Sequence, residues 1–182
     1  GAKHTETFDG FTLTNGTLEA KSTRVFQQDP HRLMRVFLYA QQRRADLGPD
    51  LRRLIKKQLT VVTDEFREDE TVAGTFLALL KRKGEVAHIL RLMHETEFLG
   101  AYLPEFAPLT CLVQHEFFHR YTADEHTLVA ISKLDQIIDA TKPPLSAYKK
   151  TFQHLENPHL LYLALLLHDT GKAAATTIHA ET

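Results

Sequence analysis

The pattern of apolar and polar positions changes period once along the 182-residue chain, near Asp29. Upstream of it, Phe11 and Leu13 alternate with threonines, which is the two-residue period of a strand. Asn15–Gly16 follows, a pair suited to the two positive-φ positions of a tight hairpin turn. A short β-hairpin is expected over Phe8–Ala20, too small to hold by itself and therefore packed on something else. From Asp29 onward the period is helical. Asp29 suits an N-cap and Pro30 a first helical position, and Leu33, Val36, Phe37 and Ala40 then share one face. Gly48–Pro49 interrupts. Leu51, Leu54, Ile55, Leu59 and Val62 resume the helical spacing. A third helix is expected from about Thr71 to Lys83, closed by Gly84, and a fourth from about Val86 to Thr96.

Residues 100–118 read as irregular, punctuated by Pro104 and Pro108. Thr122-Ala-Asp-Glu125 then has the form of a capping box, in which the Thr hydroxyl and the Glu carboxylate satisfy free N–H groups. The helix it opens should run to about Ala140, where Lys142-Pro-Pro144 ends it. A polar helix near Ser146–Leu155 follows, and Asn157–Pro158 starts another. Leu160–Leu167 contains no charge, which predicts a helix buried on most sides. It closes on His168–Asp169, with Gly171 placed as a C-terminal cap. The fold class is therefore all-α, a helical bundle preceded by a short N-terminal β-hairpin.

Composition narrows the function classes more than the fold. The chain is 43% hydrophobic and 25% charged, as in ordinary globular proteins. A net charge of −1 offers no field that would favour nucleic acid or a membrane surface, so neither is expected as a partner. No apolar run reaches the roughly 18 residues that a membrane span requires. Cys111 is the one cysteine, which excludes an internal disulfide and agrees with a cytoplasmic protein. It lies in an apolar context that suits the core better than a nucleophile. The polar start resembles no leader peptide, and the lack of an initial Met suggests a piece excised from a longer protein.

Eleven histidines are the compositional outlier, and most are expected to be solvated. Three groups stand apart. His168–Asp169 ends an uncharged helix, and both side chains are costly to bury unless paired or coordinated. They offer one nitrogen and one oxygen to a hard or borderline divalent ion. The residues alone leave two readings, a ligand pair or a helix end that merely surfaces there. His126 falls in the first turn of its helix, where the dipole disfavours protonation and keeps the imidazole ready for a metal. An exposed first-turn residue is the plainer reading. His115-Glu-Phe-Phe-His119 has the H-E-x-x-H form of zinc proteases. The sequence after it lacks the glycine of the longer metzincin pattern, and Thr122 cuts the helix short, which argues against a protease. No Gly-rich phosphate loop is present.

Taken together, these segments resemble a family. Tyr121-Thr-Ala-Asp-Glu-His-Thr-Leu128 and Leu165-Leu-Leu-His-Asp-Thr-Gly-Lys172 resemble the bacterial PII uridylyltransferase/uridylyl-removing enzymes. Gly10-Phe11 through Asn15-Gly16, Phe26 to Pro30, and Leu92-Met93 through Leu99-Gly-Ala-Tyr-Leu-Pro-Glu-Phe106 extend the likeness over most of the chain. The Tyr-Thr-x-Asp-Glu-His-Thr-Leu string is specific, whereas His-Asp-x-Gly-Lys is shared by many HD phosphohydrolases.

The resemblance implies a domain order: nucleotidyltransferase, helical linker, HD domain, then ACT sensor domains. On that order the chain holds a tail with the hairpin (1–28), a helical linker bundle (29–118) and the first part of an HD domain (119–182), without the transferase and sensor domains. The resemblance implies that His126, His168, Asp169 and His179 are metal ligands, with Asp169 and Lys172 contributing to catalysis. Before His179 the family has a Gly-rich approach, where this chain has Ala173-Ala-Ala-Thr-Thr-Ile178. The implied cofactor is a divalent metal, Mg or Mn first and Fe or Zn as alternatives, which would activate water and polarise a phosphoryl oxygen. The implied reaction removes UMP from a PII-type signalling protein, with Lys172 stabilising charge on the phosphate. HD sites also use a later aspartate, so a chain holding part of the site is expected to be weakly active or inactive. The alternatives are another HD phosphohydrolase or a non-catalytic helical module.

Overall fold

A computed structural model of the chain describes residues 4–111 and 122–171. The chain is mainly helical with one small sheet near its start, as its periodicity predicts. It forms two compact units, each drawn from two stretches: 1–79 with 92–102, and 80–91 with 103–182.

In the first unit, β1 (Thr5–Phe8), β2 (Phe11–Thr14) and β3 (Thr17–Ala20) form an antiparallel meander. The predicted hairpin is β2–β3. Thr14 pairs with Thr17 across Asn15 and Gly16, whose φ angles are 50° and 75°. Two more strands flank it. β1 joins through Asp9–Gly10, a second turn with positive φ, and β4 (Asp46–Leu47) adds in parallel to β3. Two residues are too few to show a period, so pattern alone misses β4. Phe11 and Leu18 point inward and are fully buried.

The helices of this unit follow their sequence signals with shifted ends. α1 (Val25–Gln28) precedes α2 (Arg32–Arg43). Asp29 was expected to cap α2 but closes α1, while its carboxylate accepts from the His31 N–H at 3.1 Å. α3 (Pro49–Lys57) takes Pro49 at its first position, and the repeat continues to Val62 only through a 3-10 turn, Leu59–Val61. α4 (Asp64–Glu68) is capped by the Thr63 hydroxyl, which accepts from the Phe66 N–H at 3.2 Å. α5 (Glu70–Leu80) ends three residues before the expected Lys83, and α6 (Ala87–Glu95) and α7 (Phe98–Tyr102) follow. The core is aromatic: Phe98 stacks on Phe37 at 5.0 Å and on Tyr102 at 5.8 Å, with Phe66 edge-on at 6.2 Å.

Asp9 ties the sheet to α2. Its carboxylate accepts from Arg32 Nε at 3.2 Å, from Arg35 Nε and Nη2 at 2.8 and 3.0 Å, and from the Tyr39 hydroxyl. Burial pushes the Asp9 carboxyl up, but the bonds from Arg35, Tyr39 and Arg32 outweigh it and hold the group at about 2, below its ordinary 3.8. A lowered carboxyl stabilises the fold above its unfolded value and loses that contribution as pH falls through the folded value. Asp9→Asn should cost on the order of 2 kcal/mol at neutral pH. The gap between wild type and variant should close between about pH 4 and pH 2 in acid-unfolding curves. A gap that persists at pH 2 refutes the assignment.

The second unit contains the 3-10 turn Ala107–Cys111, α8 (Ala123–Gln136), α9 (Lys149–Gln153) and α10 (Pro158–Leu167), together with the first part of α6. α8 packs on α10. The expectation that α10 is buried on most sides does not hold. Pro158, Tyr162 and Leu166 are buried, but Leu160 and Leu161 are 57% and 40% exposed, because α10 meets its neighbours along one face. Gly171 is no left-handed cap either. His168 closes α10, and Thr170–Gly171 is helical again. No helix among the described residues is long and apolar enough to cross a membrane.

Candidate metal centre

His126 lies in the first turn of α8, where its backbone N–H donates to the Thr122 carbonyl at 2.9 Å. Thr122 has the extended backbone of an N-cap, but the capping box does not form. The Thr122 hydroxyl donates to the Asp124 carboxylate instead. Glu125 turns to α6, where Arg91 Nη1 donates to both of its oxygens at 3.1 and 3.2 Å. A tertiary charge pair has displaced the local cap, since charge-assisted bonds are the stronger ones. Asp124 is 4% exposed, so the start of α8 is polar yet enclosed.

The other two candidates come from the end of α10. His168 is the closing residue and is partly exposed, whereas Asp169 is 1% exposed. His168 Nδ1 donates to the Leu165 carbonyl at 2.5 Å. A carbonyl can only accept, so Nδ1 carries the hydrogen and Nε2 is the ring atom left to face Asp169. That nitrogen lies 3.0 Å from Asp169 Oδ2. The His126 and His168 rings are 6.0 Å apart between centroids, inclined by 54°. One donor atom from each of His126, His168 and Asp169 lies within 4.8 Å of the others.

This donor set fits a divalent cation. Bonds of about 2.1 Å at a right angle place two donors about 3 Å apart, the separation between His168 Nε2 and Asp169 Oδ2. A lone pair facing a carboxylate oxygen at that distance is repulsive unless a proton or a cation lies between them. The backbone bond at Nδ1 is the kind of outer contact that orients a histidine ligand.

Sequence reasoning thus named three residues that the fold brings together. His115, His119, Lys172, His179 and the Cys111 side chain lie outside the described residues. It missed Arg91 of α6, Asp135 of α8 and Tyr162 of α10, whose hydrogen bonds tie these helices together. The one available signal was a carboxylate, Asp135, next to Leu134 on the inward face of α8. A separate cavity of about 570 Å³, lined by Glu19, Lys21, Arg53 and Lys57 among others, belongs to the first unit and contains none of the three donors.

The fold and this cluster define the class: a helical protein presenting two histidines and a buried carboxylate from the ends of two packed helices. Comparison with known proteins then gives the family. The family described as "Uridylyltransferase GlnD third domain" matches residues 11–102. A bifunctional uridylyltransferase/uridylyl-removing enzyme of Caulobacter vibrioides is 34% identical over 167 residues, covering 90% of this chain and 18% of that protein. The enzyme of the same name from Azotobacter vinelandii is 36% identical, covering 89% of this chain and 18% of its own length. The chain belongs to the GlnD uridylyltransferase family and spans about a fifth of the length of these relatives. A solved structure described as a tRNA-processing enzyme in an apo form aligns over 84% of this chain and 37% of its own, with a TM-score of 0.56 and 15% identity, a likeness of fold alone.

Proposed function

We propose that this chain carries part of the uridylyl-removing centre of a PII-regulating enzyme, an HD-type site that hydrolyses a nucleotidyl phosphodiester. The observation that supports this most directly is the convergence of His126, His168 and Asp169 donor atoms within 4.8 Å. The names of its relatives pair uridylyl transfer with uridylyl removal, and a His/His/Asp cluster suits the hydrolytic half.

On this reading His126, His168 and Asp169 hold a divalent ion, Mg or Mn by its mixed nitrogen and oxygen donors. Such an ion lowers the pKa of a coordinated water and polarises a phosphoryl oxygen. The chain's own residues do the positioning. The bond from Nδ1 to the Leu165 carbonyl keeps the His168 lone pair at Nε2, facing Asp169. Asp169, removed from water, supplies the negative charge of the set. Glu125 and Arg91 brace the turn that carries His126. Lys172 and His179 are further candidates, for charge on the phosphate and as a ligand. The substrate is a PII-type signalling protein carrying UMP on tyrosine, met in the cytoplasm.

The test uses this chain in the context of its full-length protein, loaded with Mn²⁺, and measures UMP released from uridylylated PII-type protein and from free nucleotide phosphodiesters. Release from the modified protein, abolished by His126→Ala, is the expected result. Hydrolysis of free nucleotides alone would point to a different HD phosphohydrolase, and no hydrolysis of either would refute the reading.

A further inference from the structure

We propose that Asp135 and Tyr162 form a register clamp that places the three donor atoms, making both of them positioning residues for the centre described above. The inference rests on the reading of that centre as a metal site, and it concerns how two helices are held in step. α8 and α10 meet at two points. At one, His126 of α8 lies beside His168–Asp169 at the end of α10. At the other, the Tyr162 hydroxyl donates to Asp135 Oδ1 at 2.5 Å. The later residue of α8 pairs with the earlier residue of α10, so the two helices run antiparallel.

The bond and the ligand share one face of α10. Tyr162, Leu166 and Asp169 follow at intervals of four and three, and none is more than 1% exposed. Between the two points the interface is apolar, with Leu128, Ile131 and Leu166 in the core. Apolar contact is non-directional, and α10 is leucine at most positions of its last two turns. A slip of one turn, about 5.4 Å, would trade one leucine for another at small cost while dispersing the donors. The part-buried bond from a phenol to a carboxylate is directional, and α10 has no second tyrosine to replace Tyr162 after a slip. Register-setting is the best attested use of buried polar groups.

The clamp is itself anchored. Asp135 accepts from the Val86 and Ala87 N–H groups at the start of α6, at 3.1 and 2.7 Å. The Gly84 N–H donates to the Tyr162 oxygen at 3.1 Å. Gly84 has a φ of 82°, and a Cβ there would approach Ile138 Cγ2 to 2.7 Å, so the loop presents that N–H only as glycine. Burial and the bond to Asp135 push the Tyr162 hydroxyl up, so it remains a donor across the working pH range.

Tyr162→Phe removes one oxygen and keeps the ring, and Asp135→Asn keeps an acceptor for the α6 N–H groups. In the full chain, Mn²⁺ affinity measured by electron paramagnetic resonance should fall about tenfold or more in Tyr162→Phe, the loss typical of positioning contacts around metal ligands. Asp135→Asn should lose less. Ile131→Val, which thins the same interface but leaves the bond, should bind Mn²⁺ as wild type does. In metal-free protein, Tyr162→Phe should also shift the ring resonances of His126 and His168, which lie nine and six residues along their helices from the Tyr162–Asp135 bond. A variant that is less stable yet binds Mn²⁺ as tightly as wild type overturns the clamp. So do unshifted histidine rings, whatever the metal affinity. Wild type that takes up no Mn²⁺, with rings that do shift, overturns the metal reading and sustains the clamp.

Discussion

If the proposed centre holds a divalent ion, Asp169→Asn will remove almost all of the stabilisation that the ion provides, while leaving the metal-free fold in place. Asparagine has nearly the shape of aspartate, so the packing of its 1%-exposed site survives the exchange. What is lost is an anionic oxygen 3.0 Å from His168 Nε2. Contacts one shell further out cost 10- to 100-fold in affinity when removed, so a direct ligand should cost about 100-fold or more. With Mn²⁺ at 100 times its wild-type dissociation constant, wild type gains about 2.7 kcal/mol. The variant at the same concentration would gain about 0.4 kcal/mol by the same relation. Thermal unfolding with and without Mn²⁺ measures both. Equal gains in the two proteins would remove Asp169 from the ligand set.

The second large effect lies in the first unit and concerns the fold alone. Phe98→Ala should cost about 3–5 kcal/mol, the range for truncating a fully buried aromatic residue. Phe98 is packed among rings, stacked on Phe37 and on Tyr102, with Phe66 edge-on. The cavity left behind is bounded by rings fixed on α2, α4 and α7, which cannot collapse into it together. Such a loss is a large share of the stability of an ordinary domain. Urea unfolding read on this unit should show it as a lower midpoint with the slope unchanged. A cost below about 1 kcal/mol would mean that the three rings do not form one packed block.

The errors of sequence reading fall where distant residues intervene. The capping box at Thr122–Glu125 satisfies every local rule and does not form, because Arg91 lies across from Glu125 and offers it a charged partner. α7 escapes the sequence pattern because residues 100–118, punctuated by Pro104 and Pro108, read as irregular, although the turn that ends at Tyr102 is held by aromatic contacts. Gly171 looks like a helix cap, but α10 has already closed at His168. The uncharged run Leu160–Leu167 predicts a helix buried on most sides, yet Leu160 and Leu161 are exposed, because such a run says nothing about which face meets a neighbour.

Much else needed no tertiary structure. The change of period at Asp29, the Asn15–Gly16 turn and the helices carrying Leu33–Ala40 and Leu160–Leu167 follow from spacing and turn chemistry, and His126 and His168–Asp169 stand out by motif, with the family resemblance implying their role as ligands. These properties depend on neighbours within a few residues, and the chain states them directly. Whether His126 and His168–Asp169, 42 residues apart, belong to one site depended on how α8 lies against α10. That alignment combines non-directional apolar contacts with a directional bond, Tyr162 to Asp135. Apolar patterning specifies that two helices pack and leaves open which turn meets which, so the site becomes a site only when the fold chooses the register.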